Sequence, residues 1–330
     1  YLHGPDNNAV AMDRTVDIPR SIQWVAEPRW GRSHEELAGM SAAVTSHGRI
    51  FYIVDEAPLA SIRFLGSWQL VARDAFNGTL LWKRPIPNWV DHLRHFRSGP
   101  VHLPRRLVAV GETVYVTPGL ASPVLALDGA TGALLREYKG TEGAEEILVE
   151  NGMLYLVVGT SEVNRRGGGL FARGEPAPSN ARFITALEAE SSRQAWKKEF
   201  GKDEFLLPLT LAVRGGHLYY QSTRGLACLD APSGKELWQT PRPTPASRMA
   251  FSAPTLVAAD EVVLLADCDL DKQGKPASGP VEWGVNGWNE EGFPRKAKTT
   301  LRAYSAWDGK ELWSAPCQEG YNSPVDLFIL

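Results

Sequence analysis

Residues 228–238 read CLDAPSGKELW, and this pattern decides the fold because it returns four more times along the 330 residues. The other copies are ARDAFNGTLLW at 72–82, ALDGATGALLR at 126–136, ALEAESSRQAW at 186–196 and AYSAWDGKELW at 303–313. The aligned acidic or Ser positions lie 42 to 75 residues apart. A motif that recurs at such intervals indicates a repeat architecture.

Each copy closes a unit of four short β-type runs. In the fourth unit these runs are LTLAV (209–213), HLYYQS (217–222), GLACLD (225–230) and ELWQT (236–240). Such runs, bounded by Gly, Asp and Ser, are typical of antiparallel strands joined by tight turns. Four of them every 40 or so residues predict one blade of a β-propeller. We therefore expect an all-β propeller with about five complete blades and the start of a sixth at 323–330, a fragment of a seven- or eight-bladed ring.

The repeated residue types have separate structural roles. The Asp caps backbone N–H groups in the turn between the third and fourth strands, and the Gly adopts a positive φ there. The Trp of the fourth strand packs between neighbouring blades and buries a large apolar surface. The residues predicted for these roles are Asp74, Gly78, Trp82, Asp128, Gly132, Trp196, Asp230, Gly234, Trp238, Gly309 and Trp313. We expect the four Trp of this set to be equivalent and largely buried.

The repeat A-x-D-x-x-[TS]-G-x-x-x-W resembles the tryptophan-docking motif of the PQQ-like (quinoprotein-like) propeller superfamily. That superfamily includes quinoprotein alcohol dehydrogenases and BamB-type outer-membrane assembly lipoproteins, and the resemblance covers about residues 42–330. Three copies depart from the motif: Arg136 replaces Trp, Ser191-Ser192 replace Thr-Gly, and Ser305 replaces Asp. The resemblance implies a periplasmic or extracellular location. For a dehydrogenase it implies PQQ and Ca²⁺, with an adjacent Cys-Cys pair, a Trp floor and a Glu/Asn/Asp set.

Composition narrows the function classes. Hydrophobic residues make up 43% of the chain, which is enough for a core, and 31 Gly with 23 Pro predict frequent turns. The balance of 35 basic and 38 acidic residues argues against a nucleic-acid surface, and no apolar run is long enough to span a membrane. The three cysteines, Cys228, Cys268 and Cys317, are far apart and include no adjacent pair.

Two regions follow from the repeat. Residues 1–38 are Pro-rich and irregular, and we expect a lead-in segment that either donates the strand SIQWV to a neighbouring blade or covers one face. Residues 39–330 form the propeller, which we expect to be incomplete at its C-terminus because a propeller ring normally closes to remove sheet edges.

Two short segments are candidate metal sites. DCDLDKQG (267–274) places Asp267, Asp269 and Asp271 at alternating positions, as in a Ca²⁺ loop, but Lys272 and Ser278 stand where an EF-hand needs Gly and Glu. A solvated hairpin tip is the alternative. WVDHLRHFR (89–97) places His92 and His95 three residues apart, beside Asp91 and before His102; the alternative is a loop or short helix on the propeller face.

Two insertions are candidate partner surfaces. NRRGGGLFARGEPAPSN (164–180) lacks the GK[ST] of a P-loop and is interpreted as a surface loop. The insertion at 274–298 carries Trp283 and Trp288, which either recognise a peptide or glycan or pack locally.

The sequence favours a non-catalytic propeller that acts as a scaffold for protein, peptide or glycan ligands through its face loops, without a cofactor. The alternatives are a PQQ- and Ca²⁺-dependent quinoprotein dehydrogenase and a sensor or accessory propeller fused to a catalytic domain. No Ser/His/Asp or Cys/His constellation can be assembled from spacing, so no catalytic residue is assigned.

Overall fold

A computed structural model shows an almost entirely β structure. It describes residues 4–7, 20–26, 39–60, 64–93, 103–161, 176–178, 181–201, 203–207, 209–244, 247–249, 254–270, 272, 298–318, 325 and 327.

Twenty strands of the described residues form five four-stranded antiparallel sheets, and in each sheet the strands are ordered as they occur along the chain. We number these sheets as blades 1 to 5. Blade 1 contains β1 (Met40–Ser46), β2 (Arg49–Asp55), β3 (Trp68–Asp74) and β4 (Leu80–Pro85), and blade 2 contains β5 (Leu107–Val110), β6 (Thr113–Val116), β7 (Val124–Asp128) and β8 (Leu134–Tyr138). Blade 3 contains β9 (Ala144–Glu150), β10 (Met153–Val158), β12 (Phe183–Glu188) and β13 (Gln194–Glu199). Blade 4 contains β14 (Ala212–Arg214), β15 (His217–Gln221), β16 (Gly225–Asp230) and β17 (Glu236–Pro241). Blade 5 contains β19 (Thr255–Ala258), β20 (Val262–Cys268), β21 (Lys298–Ser305) and β22 (Glu311–Gln318).

The first strand of each blade lies beside the first strand of the next, in the order β1, β5, β9, β14 and β19. The first strands therefore line the axis and the fourth strands form the rim, as a propeller requires. The predicted fold class, an all-β propeller of four-stranded antiparallel blades, is confirmed.

Apolar side chains from adjacent blades form the core. Four buried clusters each join two neighbouring blades, and burying one large apolar side chain contributes about 1.5–3 kcal/mol. Representative pairs are Phe51 with Leu127, Tyr115 with Leu154, Tyr155 with Leu229, and Leu226 with Leu265. The blades thus stabilise one another.

The first strand of blade 4 is shorter than the sequence predicts. It was expected over 209–213 and occupies Ala212–Arg214. Leu209 has a φ of 63°, a left-handed conformation that a leucine rarely adopts and that interrupts an extended strand.

The remaining described elements are small. β11 (Pro176–Pro178) pairs with β18 (Ser247–Met249), and two 3₁₀ helices cover Trp89–Leu93 and Leu103–Arg106. No helix in the described ranges is long and apolar enough to cross a membrane. Of the predicted sixth blade, only Val325 and Leu327 lie within the described residues, and both pack against blade 5.

Candidate functional site

The turn between the third and fourth strands repeats the same hydrogen bonds. Asp74 Oδ1 accepts the backbone N–H groups of residues 76 and 77 at 2.9 and 3.0 Å, and Asp128 Oδ1 does the same in blade 2. Asp230 accepts the N–H of Ser233 at 3.0 Å. The turn glycines have φ between 68° and 74° and are Gly78, Gly132, Gly234 and Gly309.

The fourth-strand Trp lies on the turn of the next blade. Trp82 donates its indole N–H to the carbonyl of Gly129 at 2.9 Å, and a Cβ on Gly132 would lie 2.7 Å from the ring. The same two contacts, with hydrogen bonds of 2.7 and 3.0 Å, join Trp196 to Ala231 and Gly234, and Trp238 to Ala306 and Gly309. The indole therefore requires glycine for space, in addition to the backbone's requirement for positive φ.

Blade 2 uses different side chains at this position. Arg136 and Tyr138 both donate to the carbonyl of Ala189 in blade 3, at 2.9 and 2.6 Å. In that turn Ser192 has a φ of 61° and stands where the other turns have glycine. The two departures from the repeat, Arg136 and Ser192, thus face each other across one blade interface. Because no indole lies on this turn, the Cβ of Ser192 is accommodated.

Trp313 corrects one prediction. It pairs with Ala303 at the register that Trp82 has with Ala72, so its blade position is the equivalent one. Its side chain is nevertheless 48% exposed, so the prediction that it is largely buried is wrong. The described residues contain no turn beyond blade 5 on which its indole lies.

Trp24 lies on the blade 1 turn in the same manner. It donates its indole N–H to Ala75 O at 2.9 Å, and a Cβ on Gly78 would lie 2.6 Å from its ring. Within the described residues 20–26 no strand is formed, so this part of the lead-in occupies the position of a fourth-strand Trp without adding a strand.

The candidate Ca²⁺ ligands are engaged by arginines and hydroxyls. Asp267 accepts hydrogen bonds from Arg242 at 2.5 Å and Thr244 at 3.0 Å. Asp269 forms an ion pair with Arg302 at 2.7 Å. Burial opposes its ionisation, but hydrogen bonds from a threonine hydroxyl and from this guanidinium outweigh that effect and lower its pKa. Asp271 lies outside the described residues, among which no group of three or more His, Cys, Asp or Glu is arranged to hold a metal ion.

The histidine candidate is only partly within the described ranges. His92 lies in a 3₁₀ helix, is buried, contacts Trp89 edge-on, and has its Nε2 2.9 Å from Thr117 O. His95 and His102 lie outside the described residues, as do Trp283, Trp288 and most of 164–180.

Main-chain groups of the first strands bind a segment from the N-terminus, Gly4–Asn7, which we call the axial segment. Val149 N–H in blade 3 donates to Pro5 O at 2.8 Å, and Val213 N–H in blade 4 donates to Asp6 O at 3.1 Å. Both donors belong to first strands, whose second edge faces the axis. The axial segment therefore covers part of the inner edges that the blades leave unpaired.

Asn7 anchors the axial segment in a buried polar network and is itself fully buried. Its Nδ2 donates to Leu211 O at 2.6 Å, and its Oδ1 accepts from Arg105 at 2.7 Å. Arg105 also forms an ion pair with Glu146 at 2.9 Å, with the two side chains 5% and 1% exposed. A buried ion pair requires such further hydrogen bonds to offset the loss of hydration.

Glu146 also holds the irregular start of blade 4. Its Oε1 accepts the N–H of Leu209 at 2.8 Å, and Leu209 has the positive φ that delays the start of the first strand. Strained backbone of this kind concentrates at functional sites. We call the groups around the axial segment, namely Arg105, Glu146, Val149, Leu211 and Val213, the axial site.

Sequence reasoning missed the axial site because its members lie in blades 3 and 4 and in the segments that precede blades 2 and 4, and because they share no motif. One signal was present: β9 reads AEEILVE, and an acidic pair at the start of an otherwise apolar first strand requires a buried partner.

The three cysteines lie in blades 4 and 5. Cys228 and Cys268 are buried and Cys317 is half-buried. Burial raises the pKa of Cys228 to about 12, so this thiol is unreactive at neutral pH.

No protein-family model matches the chain, and no curated protein shows significant sequence similarity to it. Among solved structures, BamB from Moraxella catarrhalis is similar at 15% identity and a TM-score of 0.43, covering 84% of this chain and 61% of that one. The quinohemoprotein alcohol dehydrogenase from Comamonas testosteroni is similar at 13% identity and a TM-score of 0.45, covering 90% of this chain and 46% of that one. A europium-containing methanol dehydrogenase is similar at 12% identity and a TM-score of 0.42, covering 86% and 62%. The chain therefore spans between 46% and 62% of the length of these three structures.

Proposed function

We propose that this chain is a non-catalytic propeller that acts as a scaffold for peptide or protein segments. The observation that carries the proposal is the axial segment: the inner edges of blades 3 and 4 donate two main-chain hydrogen bonds to a peptide segment. Hydrogen bonding of a peptide main chain to the N–H groups of a sheet edge is a common mode of peptide recognition.

The axial residues do not suit PQQ, which is a planar quinone carrying three carboxylates. The guanidinium of Arg105 is already paired with Glu146, so its charge is not available to a carboxylate of the cofactor. The N–H groups of Val149 and Val213 are also engaged by the axial segment. These contacts support a scaffold over a quinoprotein dehydrogenase.

A periplasmic or extracellular location is part of the proposal and rests on the resemblance of the repeat. Fractionation of cells that express the full gene product tests it, with recovery in the cytosolic fraction as the contradicting result.

The test of the non-catalytic function is reconstitution with PQQ and Ca²⁺. The purified chain is titrated with both, quinone absorbance is followed, and dye-linked oxidation of short alcohols is assayed beside a sample without protein. We expect no saturable absorbance change and no turnover above that control. Stoichiometric quinone binding with turnover would overturn the proposal.

Selection from a peptide display library tests the binding role. The immobilised chain should enrich peptides of a shared sequence, and an unfolded sample of the same chain serves as the control. Equal enrichment on the folded and unfolded chain would contradict a scaffold function.

A further inference from the structure

We propose that the axial site is a sequence-selective peptide site for an asparagine-bearing turn, and that Gly4–Asn7 is its occupant in cis. The inference rests on the proposed scaffold function and assigns a ligand class to one place on the propeller. The ligand is a peptide that presents two successive main-chain carbonyls followed by an Asn side chain, as Pro5, Asp6 and Asn7 do.

Main-chain contacts fix the position of the bound peptide. Val149 and Val213 each donate an N–H to a carbonyl of the axial segment, and they belong to neighbouring blades. A peptide must therefore bridge blades 3 and 4 to satisfy both donors. Most peptides can supply the two carbonyls, so these bonds position the ligand without selecting its sequence.

Selectivity comes from the contacts of the Asn7 side chain. A carboxamide is both donor and acceptor, and here its NH₂ meets a carbonyl (Leu211) while its oxygen meets a guanidinium (Arg105). An aspartate in this place would keep the contact with Arg105 but set an oxygen against the Leu211 carbonyl. An alanine would lose both hydrogen bonds and leave Arg105 and Leu211 O in need of partners.

Glu146 positions the guanidinium that reads the amide. It holds Arg105 through an ion pair of 2.9 Å and the Leu209 N–H through its other oxygen at 2.8 Å. The Glu146 carboxylate thus connects the recognition of the Asn7 side chain by Arg105 to the strained Leu209 backbone at the start of blade 4. Its charge also disfavours a second acidic group at the Asn position.

Binding of a peptide in trans competes with the tethered axial segment. A tethered segment has an effective concentration in the millimolar range, so a free peptide at micromolar concentration does not displace it. Weakening the cis segment through its own Asn7 makes the site accessible while leaving every residue of the axial site unchanged.

The experiment exchanges the asparagine between chain and peptide. The full chain is prepared as wild type and as Asn7→Ala, and each is titrated with a fluorescent peptide HGPDNNA and with the same peptide carrying Ala for the Asn that corresponds to Asn7. We expect the Asn7→Ala chain to bind the asparagine peptide at least about tenfold more tightly than the wild-type chain does, and at least about tenfold more tightly than the alanine peptide. Equal binding of the two peptides, or no binding to the Asn7→Ala chain, overturns the proposal.

A second variant guards against a folding defect. Asn7→Asp keeps the size of the side chain and the contact with Arg105, and it should gain the same binding of the asparagine peptide. Circular dichroism and the urea midpoint establish that each variant is folded. If both variants are folded and neither binds the asparagine peptide, the axial-site proposal is wrong and the scaffold function still stands. PQQ-dependent turnover would instead overturn the scaffold function.

Discussion

The contact between Trp82 and Gly132 predicts an unusually large cost for a single methyl group. In Gly132→Ala the new Cβ would lie 2.7 Å from the indole, closer than van der Waals contact allows. The turn also has a φ of 71° at this position, which costs an L-residue about 1–2 kcal/mol. Overpacking a filled interface adds about 1–3 kcal/mol, so we expect Gly132→Ala to lower the free energy of unfolding by about 2–5 kcal/mol.

Gly152 supplies the matched control. It has a φ of 75°, and a Cβ placed on it meets no atom within 4 Å. Gly152→Ala therefore carries the backbone cost without the steric one, and we expect a loss of about 1–2 kcal/mol. The difference between the two variants isolates the contact with the indole.

Urea unfolding measures both variants, and Trp82→Ala completes a double-mutant cycle with Gly132→Ala. We expect the cost of Gly132→Ala to fall to that of Gly152→Ala once the indole is removed, a coupling of about 1–3 kcal/mol. Equal losses for Gly132→Ala and Gly152→Ala, or additivity within about 0.5 kcal/mol in the cycle, would refute the reasoning.

Three further predictions concern the blade 2 interface and the buried titratable groups. Ser192→Gly should change the free energy of unfolding by no more than about 1 kcal/mol, because it relieves positive-φ strain and no indole lies on that turn. Gly234→Ser should lower the free energy of unfolding by about 2–5 kcal/mol, because it adds a Cβ beneath the Trp196 indole. Urea unfolding measures both variants, and similar losses would contradict this prediction. Tyr138→Phe should lower the free energy of unfolding by about 1 kcal/mol, because Ala189 O keeps its hydrogen bond from Arg136. Arg136→Ala should cost more stability in the Tyr138→Phe chain than in the wild-type chain, because Ala189 O then loses both donors. Equal costs would show that the two donors act independently. Burial raises the pKa of Cys228, Tyr138 and Tyr155 to about 12, so these groups stay protonated in the folded chain where the unfolded chain has lost its protons. Stability should therefore be unaffected by them below about pH 8.5 and should fall as the pH rises from there toward 12, measured by urea midpoints; a midpoint that rises over this interval would contradict it.

The repeat was readable from sequence because each of its residues has a local reason. Asp74 and its equivalents cap their own turns, and the turn glycines need positive φ. The Trp represented by Trp82 recurs at a fixed number of residues from both. The exposure of Trp313 was not readable, since it depends on what lies beside blade 5. The late start of the first strand of blade 4 was missed for a similar reason: the Glu146 carboxylate from blade 3 holds the Leu209 backbone.

The axial site was beyond sequence reasoning because its contacts join residues far apart in the chain. Asn7 meets Arg105 and Leu211, which follow it by 98 and 204 residues. Turns and strands are encoded within a few residues, whereas a buried hydrogen-bond network at an axis depends on the closure of several blades.

Amide hydrogen exchange at Val149 and Val213 tests most directly whether the axial site binds a peptide main chain. The Tyr155 amide, in a second strand paired on both edges, is the internal reference. We predict that both valine amides are protected in the wild-type chain, exchange at least about tenfold faster in the Asn7→Ala chain, and regain protection when the HGPDNNA peptide is added, while the Tyr155 amide stays unchanged. Valine amides that exchange at the same rate in all three samples would contradict the account.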